Sequence, residues 1–333
     1  MNTVENVPQA GKIMLVGLGP GSQEHLTARA RAAIAEADTV IGYVTYIRMV
    51  ADLLEGKEVI KKSMTEELDR AIEALERATQ GKRVALISSG DAGVYGMAGP
   101  TFEVLFQAGW TPDSPIGVEI IPGASALNTC AALVGAPLTH DFCAISLSDL
   151  LTPWPTIARR LEATAYADFV VALYNPKSGR RAQQIVEAQQ IFLRHRDPQT
   201  PVAIVKSGFR PKQRIELTTL DKMAEAEIGM LTTVLIGNSN TFIRHGLMVT
   251  PRGYANKYAV SDGERNTHQG EQAGRSLSTG LQGWIASLQA DQAAGCSLAE
   301  LAAQHRLPQA YIQDVLNRAH EAAVQTEEGE ARE

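Results

Sequence analysis

The chain has 333 residues, 44% hydrophobic and 20% charged, with a formal net charge of −6 at pH 7. That composition describes a globular protein long enough for about two domains, and its acidity argues against a general nucleic-acid binder. No run approaches the ~20 apolar residues of a membrane span, and Met1 to Gly11 lacks the basic and apolar parts of a signal peptide. The expected location is therefore the cytoplasm, with no membrane partner.

In chain order, a strand over Lys12 to Val16 runs into Gly17-Leu18-Gly19-Pro20-Gly21, and apolar spacing predicts a helix from Leu26 to Ala37. Short β-branched strands follow at Thr39 to Ile41 and Glu58 to Ile60, then a helix from Glu66 to Gln80 with Leu68, Ile72 and Leu75 at helical intervals. The strand Val84 to Ile87 leads into Ser88-Ser89-Gly90-Asp91-Ala92-Gly93-Val94-Tyr95, and the strand Val118 to Ile121 into Pro122-Gly123-Ala124-Ser125-Ala126. The alternation predicts a parallel α/β layer of about five strands over residues 12–135. Its three turns, at the carboxyl ends of strands, are where open α/β sheets bind ligands.

From Phe142 the pattern restarts: a strand to Leu147, a helix around Ile157 to Leu161, a strand over Phe169 to Leu173, and a helix around Ala182 to Leu193. The strands Val202 to Val205, Arg214 to Leu217 and Thr233 to Ile236 then follow without helices, so the second domain, 136–258, is expected to hold a mixed sheet. Residues 259–280 are rich in Gly, Ser, Gln, Asn and Glu and read as a flexible linker. A small helical unit is expected over 281–322, with Trp284, Leu288, Leu301, Ile312 and Leu316 as its apolar face, and an acidic tail over 323–333. The run from Ser297 to Pro308 resembles half of a helix-turn-helix, but its charges are balanced, which favours a docking or structural hairpin over a DNA reader. The three cysteines, Cys130, Cys143 and Cys296, stand far apart without a C-x-x-C pair. Buried thiols are expected, and no protein-bound metal.

A glycine-rich turn after a first strand raises the question of a dinucleotide. The G-x-G-x-x-G fingerprint needs a glycine where Ser22 stands and an acid behind the second strand, where this chain has Gly42-Tyr43. Pro20 also removes a backbone donor from the loop that would cradle a pyrophosphate. NAD and FAD are set aside.

The three turns resemble the signatures of the tetrapyrrole methylases, two-domain S-adenosylmethionine enzymes of sirohaem and corrin synthesis, over residues 12 to about 258. Within that family Gly42-Tyr43-Val44-Thr45-Tyr46, His140-Asp141-Phe142, the run Ser146 to Trp154 and Leu173-Tyr174-Asn175-Pro176 resemble the precorrin-3B C(17)-methyltransferase branch. The resemblance implies two α/β domains facing each other across a cleft, and S-adenosylmethionine as methyl donor. It implies methylation at C(17) of precorrin-3B with ring contraction to precorrin-4 on the way to cobalamin. The alternatives are the anaerobic counterpart acting on cobalt-factor III, and a protein that binds tetrapyrrole or donor without turnover. A homodimer and handover to neighbouring corrin-pathway enzymes are also implied.

On these positions the resemblance places Pro20, Gly90, Asp91, Ala92, Tyr95, Ser125, Ala126, Tyr174, Asn175 and Gly208 around the donor. Asp91 would pair with its cationic amino-acid part, and free amides at the start of the helix after Ser125 would bind its carboxylate. An anionic tetrapyrrole calls for local cations, and Lys206, Arg210, Lys212 and Arg214, with Lys177 and Arg180 on a neighbouring loop, are the candidates. Ring contraction requires proton transfers near the substrate, for which His140, Asp141 and Tyr43 are the candidates.

Overall fold

The computed structural model describes residues 11–63, 66–179, 181–261 and 264–330, the side chains of 323–330 excepted. It begins with β1 (Lys12–Gly17), whose Ile13, Met14, Leu15 and Val16 are fully buried, the continuous apolar pattern of a parallel strand covered on both faces. Then come α1 (Ala28–Glu36), capped by the Thr27 hydroxyl accepting from the Ala30 amide, β2 (Thr39–Tyr43), α2 (Val44–Met49), β3 (Glu58–Lys62), α3 (Glu67–Thr79), β4 (Arg83–Ser88), α4 (Ala98–Gln107) and β5 (Gly117–Ile121). The five strands form one parallel sheet in the order β3-β2-β4-β1-β5. The expected layer is present, but α3 is rotated from its expected face. Leu68 and Ile72 are exposed, while Arg70, Ala71, Ala74 and Ala78 are buried. A row of alanines lets the helix approach the sheet closely, and the two larger residues are turned outward.

α5 (Ala126–Val134) follows β5 in sequence yet packs on the second sheet, its Cys130 and Val134 sharing a core with Ala172, Val205, Leu235 and Met248. The chain continues through β6 (Gly135–Ala136), β7 (Phe142–Ser146), α6 (Trp154–Tyr166), β8 (Val170–Tyr174), α7 (Gln184–Leu193), β9 (Pro201–Lys206), β10 (Arg214–Thr219), β11 (Thr232–Ile236), β12 (Phe242–Arg244) and β13 (Leu247–Val249). The second sheet has the order β10-β9-β11-β8-β7, with β7 and β8 parallel and the other pairs antiparallel, the mixed sheet expected. A buried guanidinium holds the end of this sheet where β8 begins and β11 finishes. Arg196 donates to the carbonyls of Gly237 at 2.5 Å, Phe169 at 2.6 Å and Thr164 at 2.9 Å and lies 4.8 Å from the Phe192 ring centroid. Burial lowers its pKa to about 10, so it remains charged at neutral pH.

The chain divides after Pro251 into two compact units. In the second, the stretch expected as a linker carries a hairpin of β14 (Tyr258–Ser261) and β15 (Glu264–Thr267), with the Arg265 guanidinium 4.8 Å from the Tyr258 ring centroid. That cross-strand contact is unreadable from a composition dominated by polar residues. α8 (Leu281–Ala293), α9 (Leu298–His305) and α10 (Gln309–Glu330) close around Leu288, Leu301, Ile312, Val315 and Leu316. α9 opens with a capping box between Ser297 and Glu300. α10 extends through most of the stretch expected as an acidic tail. Among the described residues no helix is long and apolar enough to cross a membrane.

Two outcomes follow from this packing. Because each unit has its own buried core, a chain ending at Pro251 should fold with a single cooperative melt, and an aggregated or molten product would show that the second unit is required. At the outer edge of the first sheet, Glu119 on β5 accepts from Arg29 at 2.7 and 2.8 Å and from Lys12 at 2.6 Å, and these partners lower its pKa from 4.5 to about 2. A depressed carboxylate stabilises above its unfolded pKa and loses that contribution as pH falls towards the folded one. Glu119→Gln should cost about 1 kcal/mol at neutral pH, the upper end for a partly exposed pair, and flatten the loss of stability between pH 4.5 and 2. Denaturant melts at both pH values check this, and equal pH slopes would contradict it.

Candidate functional site

In the first sheet Gly17 pairs with Ser88 and Val16 with Ile121, so the loops after β1, β4 and β5 leave at one level. They touch backbone to backbone. A Cβ on Gly17 would lie 2.7 Å from the Gly123 nitrogen and 2.8 Å from the Gly90 oxygen, and one on Gly123 would lie 2.2 Å from that same oxygen. The amides of Gly19 and Gly90 each donate to the other's carbonyl, at 3.0 and 2.7 Å, and both residues have positive φ. The Asp91 carboxylate completes the junction, accepting from the Gly93 amide at 2.7 Å through Oδ1 and from the Gly123 amide at 2.9 Å through Oδ2. Asp91 is thus a clamp between the second and third loops, and one edge of each oxygen remains for a ligand.

The second sheet meets this junction through two tyrosines. The Tyr174 hydroxyl, at the end of β8, accepts from the Leu127 amide at 2.7 Å and caps the first turn of α5. Tyr95 donates to the Ala144 carbonyl on β7 at 3.1 Å, and the two rings stand 4.9 Å apart. Burial pushes both phenol pKa values up, so both stay protonated. Arg210, on the loop after β9, donates through Nε to the Pro20 carbonyl at 2.5 Å, and beside it Phe209 packs on His25 with centroids 4.2 Å apart. Tyr95, Asn175, Ser207 and Phe209 all hold positive φ, at a cost of order 1 kcal/mol each. Strained backbone of this kind collects in the loops around the cleft.

Of the residues expected around the donor, Pro20, Gly90, Asp91, Tyr95, Ser125, Ala126, Tyr174, Asn175 and Gly208 line one cleft between the two sheets. Ala92 is fully buried behind its wall. The Ser125 hydroxyl donates to Asn128 Oδ1 at 2.9 Å rather than capping α5.

The expected substrate cluster separates. β9 and β10 are antiparallel with Lys206 opposite Arg214, and both pair with Glu227, whose carboxyl is held below the usual range chiefly by Lys206. The acid lies outside the run and, with Glu216 at 4.0 Å from Arg214, compensates two of the four cations that read locally as an uncompensated basic run. Arg210 belongs to the cleft wall, Lys212 is exposed on the β9–β10 turn, Lys177 is partly buried, and Arg180 lies outside the described residues. The catalytic candidates separate too. His140 and Asp141 precede β7, whose length of about 13 Å separates them from the end that carries the cleft, and the His140 Nδ1 accepts from the Asp141 amide at 2.8 Å. Tyr43 stands behind the wall, its ring edge-on to the cleft residue Tyr46 at 5.4 Å.

Among the residues that sequence reasoning missed are Tyr46, Glu67, Arg70, Ser88 and Met97 on one side and the stretch Met230 to Thr233 on the other. Ser88 carried a signal, standing in a quoted motif; Arg70 carried none beyond its place on a helix.

The family model for tetrapyrrole (corrin/porphyrin) methylases matches residues 12–224. The cobalt-factor III methyltransferase of Priestia megaterium is 56% identical over 255 residues, 77% of this chain and 47% of the relative, so the chain spans about half the length of that protein. The precorrin-3B C(17)-methyltransferase of a Sinorhizobium species is 40% identical over 74% of this chain and 98% of the relative. The crystal structure of the methyltransferase CobJ is similar with a TM-score of 0.69 at 37% identity, covering 72% of this chain and all of that one. With its three turns, two sheets and cleft, the chain belongs to the tetrapyrrole methylase family.

Proposed function

We propose that this chain is a methyltransferase that carries a methyl group from S-adenosylmethionine to C(17) of a corrin precursor, with contraction of the ring, in cobalamin biosynthesis. The observation that carries the reading is the junction of three loops at Gly17, Gly90 and Gly123, which presents backbone and the Asp91 carboxylate to a ligand. Such a cradle fits the donor: its glycines leave room for close approach, Asp91 offers a negative edge to the α-ammonium group, and the polar backbone suits an adenosine. When bound, S-adenosylmethionine supplies an activated methyl group on a sulfonium.

An in-line displacement needs alignment of donor and acceptor, so the protein contributes chiefly by positioning. Tyr95 ties the second loop to β7, Arg210 ties the second sheet's loop to the first loop at Pro20, and Tyr174 fixes the start of α5. The proton transfers of ring contraction fall to groups in or beside the cleft. Tyr46, which lines the cleft with Tyr43 packed edge-on against it, is better placed for them than His140 and Asp141.

Of the two substrates, the sequence reading took precorrin-3B with cobalt-factor III as the alternative. The higher identity to a relative named for cobalt-factor III, 56% against 40%, supports the alternative. A cobalt ion would arrive already chelated by the macrocycle, so the reading requires no metal ligands from the protein.

Incubation of the chain with S-adenosylmethionine and either macrocycle, followed by mass spectrometry, should show gain of one methyl group, faster on cobalt-factor III. No gain on either would overturn the reading. S-adenosylhomocysteine should bind the wild type, and Asp91→Ala should weaken it by about 1.5–3 kcal/mol, the range for hydrogen bonds to a charged group. Undiminished binding by calorimetry would remove Asp91 from the donor site.

A further inference from the structure

One wall of the cleft carries a charge that the donor reading does not use. Arg70, on α3, has a side chain only 5% exposed, and it lines the cleft that Met97 and Ser88 also line. Its Nη1 donates to the Ser63 carbonyl at 2.6 Å, and its Nη2 reaches the Met97 Sδ at 3.5 Å. Its ionic partner is Glu67, one turn back on the same helix at 3.3 Å, and that carboxylate is 45% exposed. Burying a guanidinium is costly unless an anion meets it, and a half-exposed i,i+3 pair supplies little compensation. On the same side of the cleft the Ser88 Oγ is buried and, among the described residues, has no hydrogen-bond partner, an unusual state for a buried hydroxyl.

We propose that Arg70 and Ser88 form a carboxylate-binding corner that receives one peripheral carboxylate of the anionic tetrapyrrole. The proposal rests on the reading of the cleft given above and adds the residues that orient the macrocycle in it. The guanidinium offers a fork, the hydroxyl a further donor, and both are withdrawn from water, where such bonds are strongest. Glu67 holds the place of the substrate carboxylate in the free protein and is released towards solvent when the substrate enters. A carboxylate could also come from the methionyl end of the donor; the two sources are separable by experiment.

The probes are uroporphyrin III, a stable tetrapyrrole bearing a carboxylate on every side chain, followed by fluorescence, and S-adenosylhomocysteine, followed by calorimetry. Arg70→Lys keeps the charge and loses the fork; it should weaken uroporphyrin III by about tenfold and leave S-adenosylhomocysteine unchanged. Ser88→Ala should weaken the porphyrin in the same direction. Glu67→Gln removes the competing carboxylate and should tighten the porphyrin about two- to fivefold, a gain that a purely structural role for the pair does not produce. Unchanged porphyrin affinity in Arg70→Lys and Ser88→Ala would overturn the proposal. Weakened S-adenosylhomocysteine with unchanged porphyrin would overturn it in favour of the donor carboxylate. A weaker porphyrin complex in Glu67→Gln would assign the pair to stability alone. A wild type that binds S-adenosylhomocysteine but no porphyrin would instead remove the macrocycle from the cleft, and this corner with it.

Discussion

Three loops meet at Gly17, Gly90 and Gly123, with no room for a side-chain carbon on Gly17 or Gly123 and a positive φ at Gly90, and the rest of the cleft takes its position from that meeting. The contact is possible because β1, β4 and β5 are adjacent parallel strands whose ends are level. It is rigid because the Asp91 carboxylate and the paired amides of Gly19 and Gly90 close it from both sides. Backbone polar groups with no room for water must be satisfied by one another, so these few hydrogen bonds decide the shape offered to a ligand. The second sheet reads that shape through Tyr174 on α5, Tyr95 on β7 and Arg210 on Pro20.

Fixed loops suit a reaction governed by alignment. Free energy spent during folding on strained residues such as Tyr95, Asn175 and Ser207 need not be spent again when ligands bind. The same economy explains the charge distribution. Arg196 is buried among carbonyls and serves the fold, Lys206 and Arg214 share Glu227 at the surface, and Arg70 stands in the cleft with an incomplete partner. Arg70 thus joins Arg210, which is tied to the Pro20 carbonyl, as a cation lining the space where an anionic substrate would lie.

Much of this was legible in the sequence. Glycine and proline after short apolar runs marked the three turns, and the loss of helices between the later strands marked the mixed sheet, because both signals are local. What escaped was non-local. Glu227 stands 13 residues from Arg214 in sequence, and no periodicity announces that it pairs with Lys206 and Arg214. The α3 pattern put Leu68 and Ile72 inward, whereas alanines allow closer packing and bring Arg70 to the cleft. His140 looked catalytic beside Asp141, but strand direction sets both at the opposite end of β7 from Tyr174's neighbour Ser146. The polar stretch after Tyr258 hid a hairpin for the same reason, since cross-strand pairs leave no mark on composition.

The most direct measurement is a calorimetric titration of S-adenosylhomocysteine into Gly123→Ala, alongside a thermal melt. If the loops form one cradle, the added methyl group must push Gly90 away, so binding should fall at least tenfold and the melt should shift down by the ~1–3 kcal/mol typical of overpacking. Wild-type affinity in a normally folded variant would show that the contact of Gly17, Gly90 and Gly123 does not shape the site.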